Sequence, residues 1–185
     1  GCGEGSHLNK VIEECSDESV IGVGLDIAKE GIKMAASHYQ NAIWMVGDLA
    51  NTPLADRSCS VILNILSPAN YAEFKRLLAP GGIVIKVIPR SDYLKELREA
   101  LYADTEKEAY QNNDMLKLFQ EQFYVKSRLP IRYTKELNQN ELEHFIRMSP
   151  LSWNGHPDRI NRFLNQEKAT ITIDLEIVVG IMEGE

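Results

Sequence analysis

Short hydrophobic runs alternate with helix-type patterns along the first half of the chain. The runs are continuous rather than alternating, which is typical of strands buried on both faces of a parallel sheet. They lie at residues 20–27, 42–46, 60–66 and 83–88. Before, between and after these runs, apolar residues recur at helical spacing over residues 6–15, 29–39, 71–78 and 91–101. This alternation predicts an α/β fold with right-handed crossovers between parallel strands.

The second half of the chain breaks this alternation. Tyr124 to Tyr133 and Ala169 to Ile181 have the pattern of strands, and Pro130 places the first of these at a sheet edge or a bulge. Asn138 and Glu141 form a capping box for one of three further helices. These helices are predicted at residues 115–123, 138–148 and 157–165, after a polar loop at 104–114. Two late strands separated by a helical insertion predict an antiparallel pair on one side of the sheet.

Composition is that of one ordinary globular domain. With 185 residues, 44% of them hydrophobic, the chain is long enough to bury a core. No run approaches the roughly 18 apolar residues of a membrane span, so we expect a cytoplasmic protein without a membrane partner. The three cysteines show no C-x-x-C spacing and the four histidines are scattered. We therefore expect neither a disulfide framework nor a metal site in this segment.

The net charge of −7 does not favour a nucleic-acid partner by itself. Residues 59–135 are the only third of the chain with more basic than acidic side chains. We interpret that excess as a solvated helical face rather than as a binding surface. Its basic members include Lys75, Arg76, Lys86, Arg90, Lys95 and Arg98.

The candidate chemistry begins with the glycine-rich turn from Gly1 to Gly5. Glycines allow a sharp backbone turn and a close approach to a ligand, and the following helix points its amide groups at that ligand. Asp26 ends the next apolar run, where α/β folds place a carboxylate for ribose hydroxyls. A dinucleotide fingerprint would need a third glycine at position 6, which is Ser6. This spacing disfavours an NAD-dependent oxidoreductase.

Four motifs in order resemble the Rossmann-like S-adenosylmethionine (SAM) methyltransferases over about the first 90 residues. They are Gly1 to Gly5, Leu25-Asp26-Ile27, Gly47-Asp48-Leu49 and Leu77 to Gly82. The resemblance implies a mostly parallel seven-stranded sheet with an antiparallel last strand and helices on both faces. In such folds the glycine turn follows a central strand, so we expect the sequence to be a fragment whose first strand is missing.

Two later segments narrow the resemblance. Residues 93–98 and Met148-Ser149-Pro150-Leu151-Ser152-Trp153 resemble the family that methylates N1 of a guanine in 23S ribosomal RNA. Members related to tylosin resistance, a macrolide resistance, belong to that family. The resemblance implies that residues 1–185 are its methyltransferase domain, with a helical insertion at about 134–167. It also implies a 23S rRNA substrate and a zinc-binding N-terminal module outside this segment, and a homodimer remains possible.

The resemblance assigns cofactor-binding roles to eight residues. The backbone at Gly1 and Gly3 would approach the methionine part of SAM, with Glu4 beside it. Asp26 would accept from the ribose hydroxyls, and Asp48 would take the adenine amino group. The remaining cofactor residues are Ile27 beside the ribose acid, Leu49 against the ring and Tyr93 at the cofactor's border. For Asp48 a turn-capping role is the alternative, and for Tyr93 packing on the sheet.

The predicted catalytic residue is Asn64, which would orient the target guanine from the end of its strand. A structural cap is the alternative for this residue. Trp153 is interpreted as a core residue, with stacking on an extruded base as the alternative. Guanine N1 carries a proton, and the sequence does not assign the base that removes it. A methyltransferase acting on a small molecule and a non-catalytic RNA-binding module remain alternative functions.

Overall fold

The computed structural model describes residues 1–17, 19–103 and 113–182. The helices are α1 (Ser6–Glu14), α2 (Lys29–His38), α3 (Tyr71–Leu77), α4 (Lys95–Tyr102), α5 (Asn113–Gln120), α6 (Gln139–Met148) and α7 (Pro157–Leu164). The strands are β1 (Gly22–Asp26), β2 (Ala42–Val46), β3 (Cys59–Ile65), β4 (Leu78–Pro89), β5 (Tyr124–Asn138) and β6 (Lys168–Ile181). The predicted order of elements is confirmed, with most boundaries within two or three residues of the predictions.

The described strands form two sheets rather than the expected single sheet of seven. β1 and β2 pair in parallel, with Gly22 opposite Ala42 and Asp26 opposite Val46. The other four strands form a mixed sheet in the order β3-β4-β6-β5. The prediction of one seven-stranded sheet is therefore not met by the described residues, because none of their strands pairs with the second edge of β1.

The chain divides into two compact units, and the first contains residues 1–86 with short pieces of β5 and β6. In this unit α2 lies against β1 and β2 and buries Ile32 and Ala35. The side chain of Asn70 caps α3 by accepting from the Glu73 amide at 3.1 Å, and α3 buries Phe74 and Leu77. Each helix therefore buries one apolar face, and α3 also has a side-chain cap.

The second unit holds residues 87–121 and 125–178 and has its own apolar core. Asn138 and Glu141 form the predicted capping box of α6, since each side chain accepts from the backbone amide of the other. Asp174, only 1% exposed, is neutralised by Arg90 at 2.9 Å and Arg132 at 3.6 Å. The core residues are Leu94, Leu97, Leu101, Leu142, Ile146, Phe163, Ala169 and Ile171.

β5 continues to Asn138, five residues beyond its predicted end at Tyr133, so the predicted insertion at 134–167 begins as strand. β5 lies at an edge of its sheet, which is where a proline such as Pro130 is tolerated. Most of the predicted loop at 104–114 lies outside the described residues. No helix in the described ranges is long and apolar enough to cross a membrane.

The solvated-face interpretation of the basic middle third is wrong for two of its members. Lys86 and Arg98 are each only 4% exposed. Arg98 donates to the backbone carbonyls of Ser91 and Tyr93, so it ties the start of α4 together. Lys86 lies in β4 and bonds to Asn64, the predicted catalytic residue.

Candidate cofactor site

The glycine turn is closed by backbone hydrogen bonds to the end of β1. The nitrogens of Gly1 and Cys2 both donate to the carbonyl of Leu25, at 2.9 and 3.1 Å. Gly3 and Gly5 have φ values of 56° and 86°, in the left-handed region that favours glycine. A Cβ at Gly3 would meet nothing within 4 Å, so the turn is open on that side. Gly5 is the N-cap of α1 and starts the helix.

Asp26 clamps the glycine turn to the start of α2. One carboxylate oxygen accepts from the Gly3 amide and the other from the Ala28 amide, both at 2.8 Å. Burial opposes ionisation of this carboxyl group, but the amide bonds from Ala28 and Gly3 outweigh it and lower its pKa. Asp26 is therefore ionised at neutral pH, and each oxygen keeps a second lone pair for a ligand hydroxyl.

Two close approaches pack the glycine turn against its neighbours. A Cβ on Gly31 of α2 would lie 2.9 Å from the carbonyl oxygen of Gly3, so only glycine lets the helix come this near. A Cβ on Gly5 would lie 2.5 Å from the Trp44 ring, which is fixed by its own bond to the Tyr39 carbonyl. The role of Gly31 could not be predicted from the sequence, because a glycine inside a helix gives no sign of what lies beside it.

The segments that follow β2 and β3 reach the same glycine turn. A Cβ on Gly1 would lie 3.6 Å from Leu49, after β2, and 2.0 Å from the Ser67 hydroxyl oxygen, after β3. The Gly47 amide donates to the Asp26 carbonyl at 3.0 Å and joins the ends of β1 and β2. The structure thus brings Gly1, Gly3, Asp26 and Leu49 together at the carboxyl ends of the strands, where open α/β sheets bind ligands.

Asp48 is exposed and caps the turn that follows it. One of its oxygens accepts from the Ala50 amide at 2.8 Å, as the turn-capping alternative predicts. Within the described part of the chain, its other oxygen has no protein partner. Asp48 is therefore able to cap its turn and bind a ligand amino group at once.

Glu4 and Ile27 lie at the same end of the first unit. The Glu4 carboxylate accepts from the amide and hydroxyl of Ser6, so it caps the first turn of α1. Ile27 follows Asp26 and is 75% exposed, an unusual position for a large apolar side chain. An exposed isoleucine beside an ionised aspartate suits a ligand that combines an apolar ring with hydroxyl groups.

Asn64 is buried at the end of β3, only 4% exposed. Its oxygen accepts from the Lys86 ammonium group, and its amide nitrogen donates to the Pro68 carbonyl at 3.0 Å. These bonds support the structural alternative, and they leave one N–H of the amide for a further acceptor. Direct contact between Asn64 and a base stays a prediction.

Tyr93 and Trp153 belong to the second unit. Tyr93 is half-buried against the core of that unit, and burial, followed by the nearby Tyr133, raises the pKa of its hydroxyl group. Its predicted cofactor contact stays a prediction. Trp153 is 72% exposed, so its interpretation as a core residue is wrong. Its indole is accessible to solvent and could stack on a base.

The comparison with known proteins first identifies the class of protein to which this fold belongs. Residues 1–82 match the family model of a methyltransferase domain. A geranyl diphosphate methyltransferase, solved in complex with GPP and sinefungin, superposes with a TM-score of 0.58 at 13% identity. That superposition covers 98% of this chain and 69% of the other chain. The structure is therefore a Rossmann-like methyltransferase fold with a mixed sheet.

The chain is similar to a narrower group within this class, the 23S rRNA (guanine-N1)-methyltransferases. It is 40% identical over 182 residues to a Bacillus subtilis (strain 168) protein provisionally named a 23S rRNA (guanine-N1)-methyltransferase. It is 32% identical over 163 residues to the 23S rRNA (guanine(748)-N1)-methyltransferase of Streptomyces fradiae. These matches cover 98% and 88% of this chain, but 64% and 57% of the relatives. The recognition from residues 93–98 and 148–153 is confirmed.

Proposed function

We propose that the first unit binds SAM and that the protein transfers its methyl group to N1 of a guanine in 23S rRNA. The proposed substrate rests on the 40% identity over 182 residues to a relative named for that activity. The observation that supports the cofactor is the glycine turn, clamped by Asp26 beside the open side of Gly3. An enzyme acting on ribosomal RNA would work in the cytoplasm.

The roles proposed for the site follow from these contacts. The open side of the turn at Gly3 would face the methionine part of SAM. The backbone at Gly1 would also approach this part, with Glu4 beside it at the helix start. Asp26 would use its remaining lone pairs for the ribose hydroxyls, and the free oxygen of Asp48 would accept from the adenine amino group. Ile27 and Leu49 would line the ring, and Tyr93 would border the cofactor.

Methyl transfer then depends mainly on positioning. SAM supplies an electrophilic methyl group, and the protein must hold guanine N1 in line with it at attack distance. The turn after β3, anchored by Asn64, lies next to Gly1 and is the element proposed to orient the base. As the new N–C bond forms and the S–C bond breaks, the N1 proton must pass to a base.

For the domain organisation, we propose that a strand outside this sequence completes the sheet beside β1. Three observations support it: β1 has one described neighbour, β3 is also an edge strand, and the Gly1 nitrogen bonds to the end of β1. The zinc-binding module and the homodimer concern residues or copies beyond this chain and remain predictions.

Calorimetry tests the cofactor. We expect the intact protein to release heat with S-adenosylhomocysteine and none with NADH. Asp26→Asn should weaken that binding at least tenfold, because the asparagine side chain has one acceptor oxygen and its nitrogen only donates, so one of the Gly3 and Ala28 amides loses its acceptor. Asp17→Asn, which removes a charge from an exposed turn, is the matched control. Heat with NADH alone would overturn the assignment.

Primer extension tests the reaction. N1 methylation removes a Watson–Crick donor, so reverse transcriptase should stop at the modified guanine of 23S rRNA. We expect the stop in cells with the intact gene and its loss on deletion. A stop that persists after deletion would show that another enzyme makes the modification. Binding of S-adenosylhomocysteine without any such stop would favour the small-molecule methyltransferase instead.

A further inference from the structure

Lys86 is a buried lysine whose position the cofactor site does not explain. It lies in β4 with 4% of its surface exposed, and its ammonium group donates to the Asn64 oxygen. In the described residues it forms no ion pair with a carboxylate. Burial lowers the pKa of Lys86, because an ammonium group is less stable away from water.

Through the Asn64 amide, the buried ammonium group also fixes the turn that follows β3. An ammonium group only donates, so it fixes the Asn64 oxygen toward β4 and the amide nitrogen toward the Pro68 carbonyl. The backbone between them is strained, because Leu66 has a φ of 50°. Such a conformation persists only when its surroundings hold it.

The turn that is held in this way reaches the glycine turn. Ser67 lies so close to Gly1 that a Cβ there would be 2.0 Å from its hydroxyl oxygen. Leu66, next to Ser67, is 45% exposed although it is apolar. A buried cation, an oriented amide and a strained, exposed turn therefore form one connected path to the cofactor site.

We propose that Lys86 is a positioning residue for methyl transfer, which acts by fixing the Asn64 amide and, through it, the 66–68 turn beside the cofactor. Lys86 does not touch the reacting atoms in this proposal. It sets the place at which the target base meets the methyl donor. The proposal rests on the proposed function for its effect on turnover, whereas the path from Lys86 to Pro68 is independent of it.

A purely structural role and a positioning role make different predictions for stability. A buried unpaired cation is costly, and replacing both partners of a buried polar pair by apolar groups is often neutral or stabilising. If the pair is kept for positioning, its removal should lower turnover without lowering the melting temperature. If the pair only stabilises the fold, turnover and melting temperature should fall together.

The experiment compares four variants of the intact protein: Lys86→Met, Asn64→Leu, the double variant and the control Lys75→Met. Lys75 is an exposed lysine on α3 that bonds to Gln122. We expect each single variant at 86 or 64 to lose at least 30-fold in kcat with S-adenosylhomocysteine affinity within threefold of wild type. The double variant should lose no more than either single variant and melt at or above the wild-type temperature.

Losses that multiply in the double variant would overturn the proposal, as would a kcat within threefold of wild type in Lys86→Met. A readout without turnover separates this result from failure of the proposed function. The Asn64 side-chain amide protons should exchange slowly with water in the wild type and at least tenfold faster in Lys86→Met, measured by NMR. Equal exchange in both proteins would overturn the path itself, whatever the substrate.

Discussion

Gly31 shows how one missing side chain shapes the cofactor site. Replacing a glycine inside a helix by alanine normally stabilises a protein by about 1 kcal/mol. At Gly31 the new Cβ would stand 2.9 Å from the backbone oxygen of Gly3, which has no side-chain freedom with which to move away. The helix or the glycine turn must shift, and the turn carries the Gly3 amide that Asp26 holds.

We therefore expect Gly31→Ala to weaken S-adenosylhomocysteine binding at least tenfold, despite the better helix former. Calorimetry with the intact protein measures this effect. The matched control is Ser37→Ala, which also raises helix propensity on α2 but lies on its exposed side. Unchanged affinity in Gly31→Ala would mean that the turn adapts to the added methyl group.

Single residues also mark where prediction from the sequence stops. The position of Asp26 at the end of β1 could be predicted, because a continuous apolar run that stops at a polar residue marks the end of a buried strand. Lys86 could not, because a lysine in an apolar run shows neither its burial nor its partner 22 positions away. Trp153 was misjudged for a similar reason, since its exposure depends on how the 148–153 turn packs.

At the scale of elements, α3 holds the loop before β3 through one buried carboxylate. Glu73 accepts from the amide and hydroxyl of Thr52 and from Arg76, which also binds Asp56. The Arg76 hydrogen bond, opposed by burial and helped by Thr52, lowers the pKa of Glu73 to about 2. Because this pKa lies below the unfolded value, Glu73 stabilises the fold above about pH 4.5 and loses that effect toward pH 2.

Glu73→Gln should accordingly cost roughly 2 kcal/mol of unfolding free energy at pH 7, the usual size for hydrogen bonds to a charged group. The difference from wild type should shrink as the pH falls from 4.5 toward 2. Urea unfolding at several pH values measures both effects. Glu30→Gln, which breaks an exposed pair with Lys33, should change little at any pH. A pH-independent difference would contradict the assigned ionisation.

Elements were the scale at which the sequence predicted best. Continuous apolar runs, capping residues and proline positions located each helix and strand, because these signals are local. The end of β5 was misplaced since edge strands lack a strong burial pattern, and 12 of its residues are not constrained by a buried face. Pairing between strands is not local, so the division into two sheets was not predicted.

At the scale of the whole molecule, net charge and composition indicated less about function than the order of the motifs did. A net charge of −7 did not suggest an RNA substrate, yet the relatives of this chain are named for one. Part of the basic excess in the middle third is internal: Lys86 and Arg98 are buried, and Arg76 is paired with Glu73. Charge counts therefore misstate the surface, whereas motifs at 93–98 and 148–153 identified the family.

The packing of Trp44 against the glycine turn also gives the protein an intrinsic fluorescence probe of that turn. The chain has two tryptophans, and the exposed Trp153 should emit like indole in water. In a Trp153→Phe variant, emission would come from Trp44 alone, at shorter wavelength and with less quenching by iodide. Because its ring touches the position of Gly5, titration with S-adenosylhomocysteine should change that emission and report the occupancy of the turn directly. An emission that stays constant through saturation, as judged by calorimetry, would show that the turn does not move when it is filled.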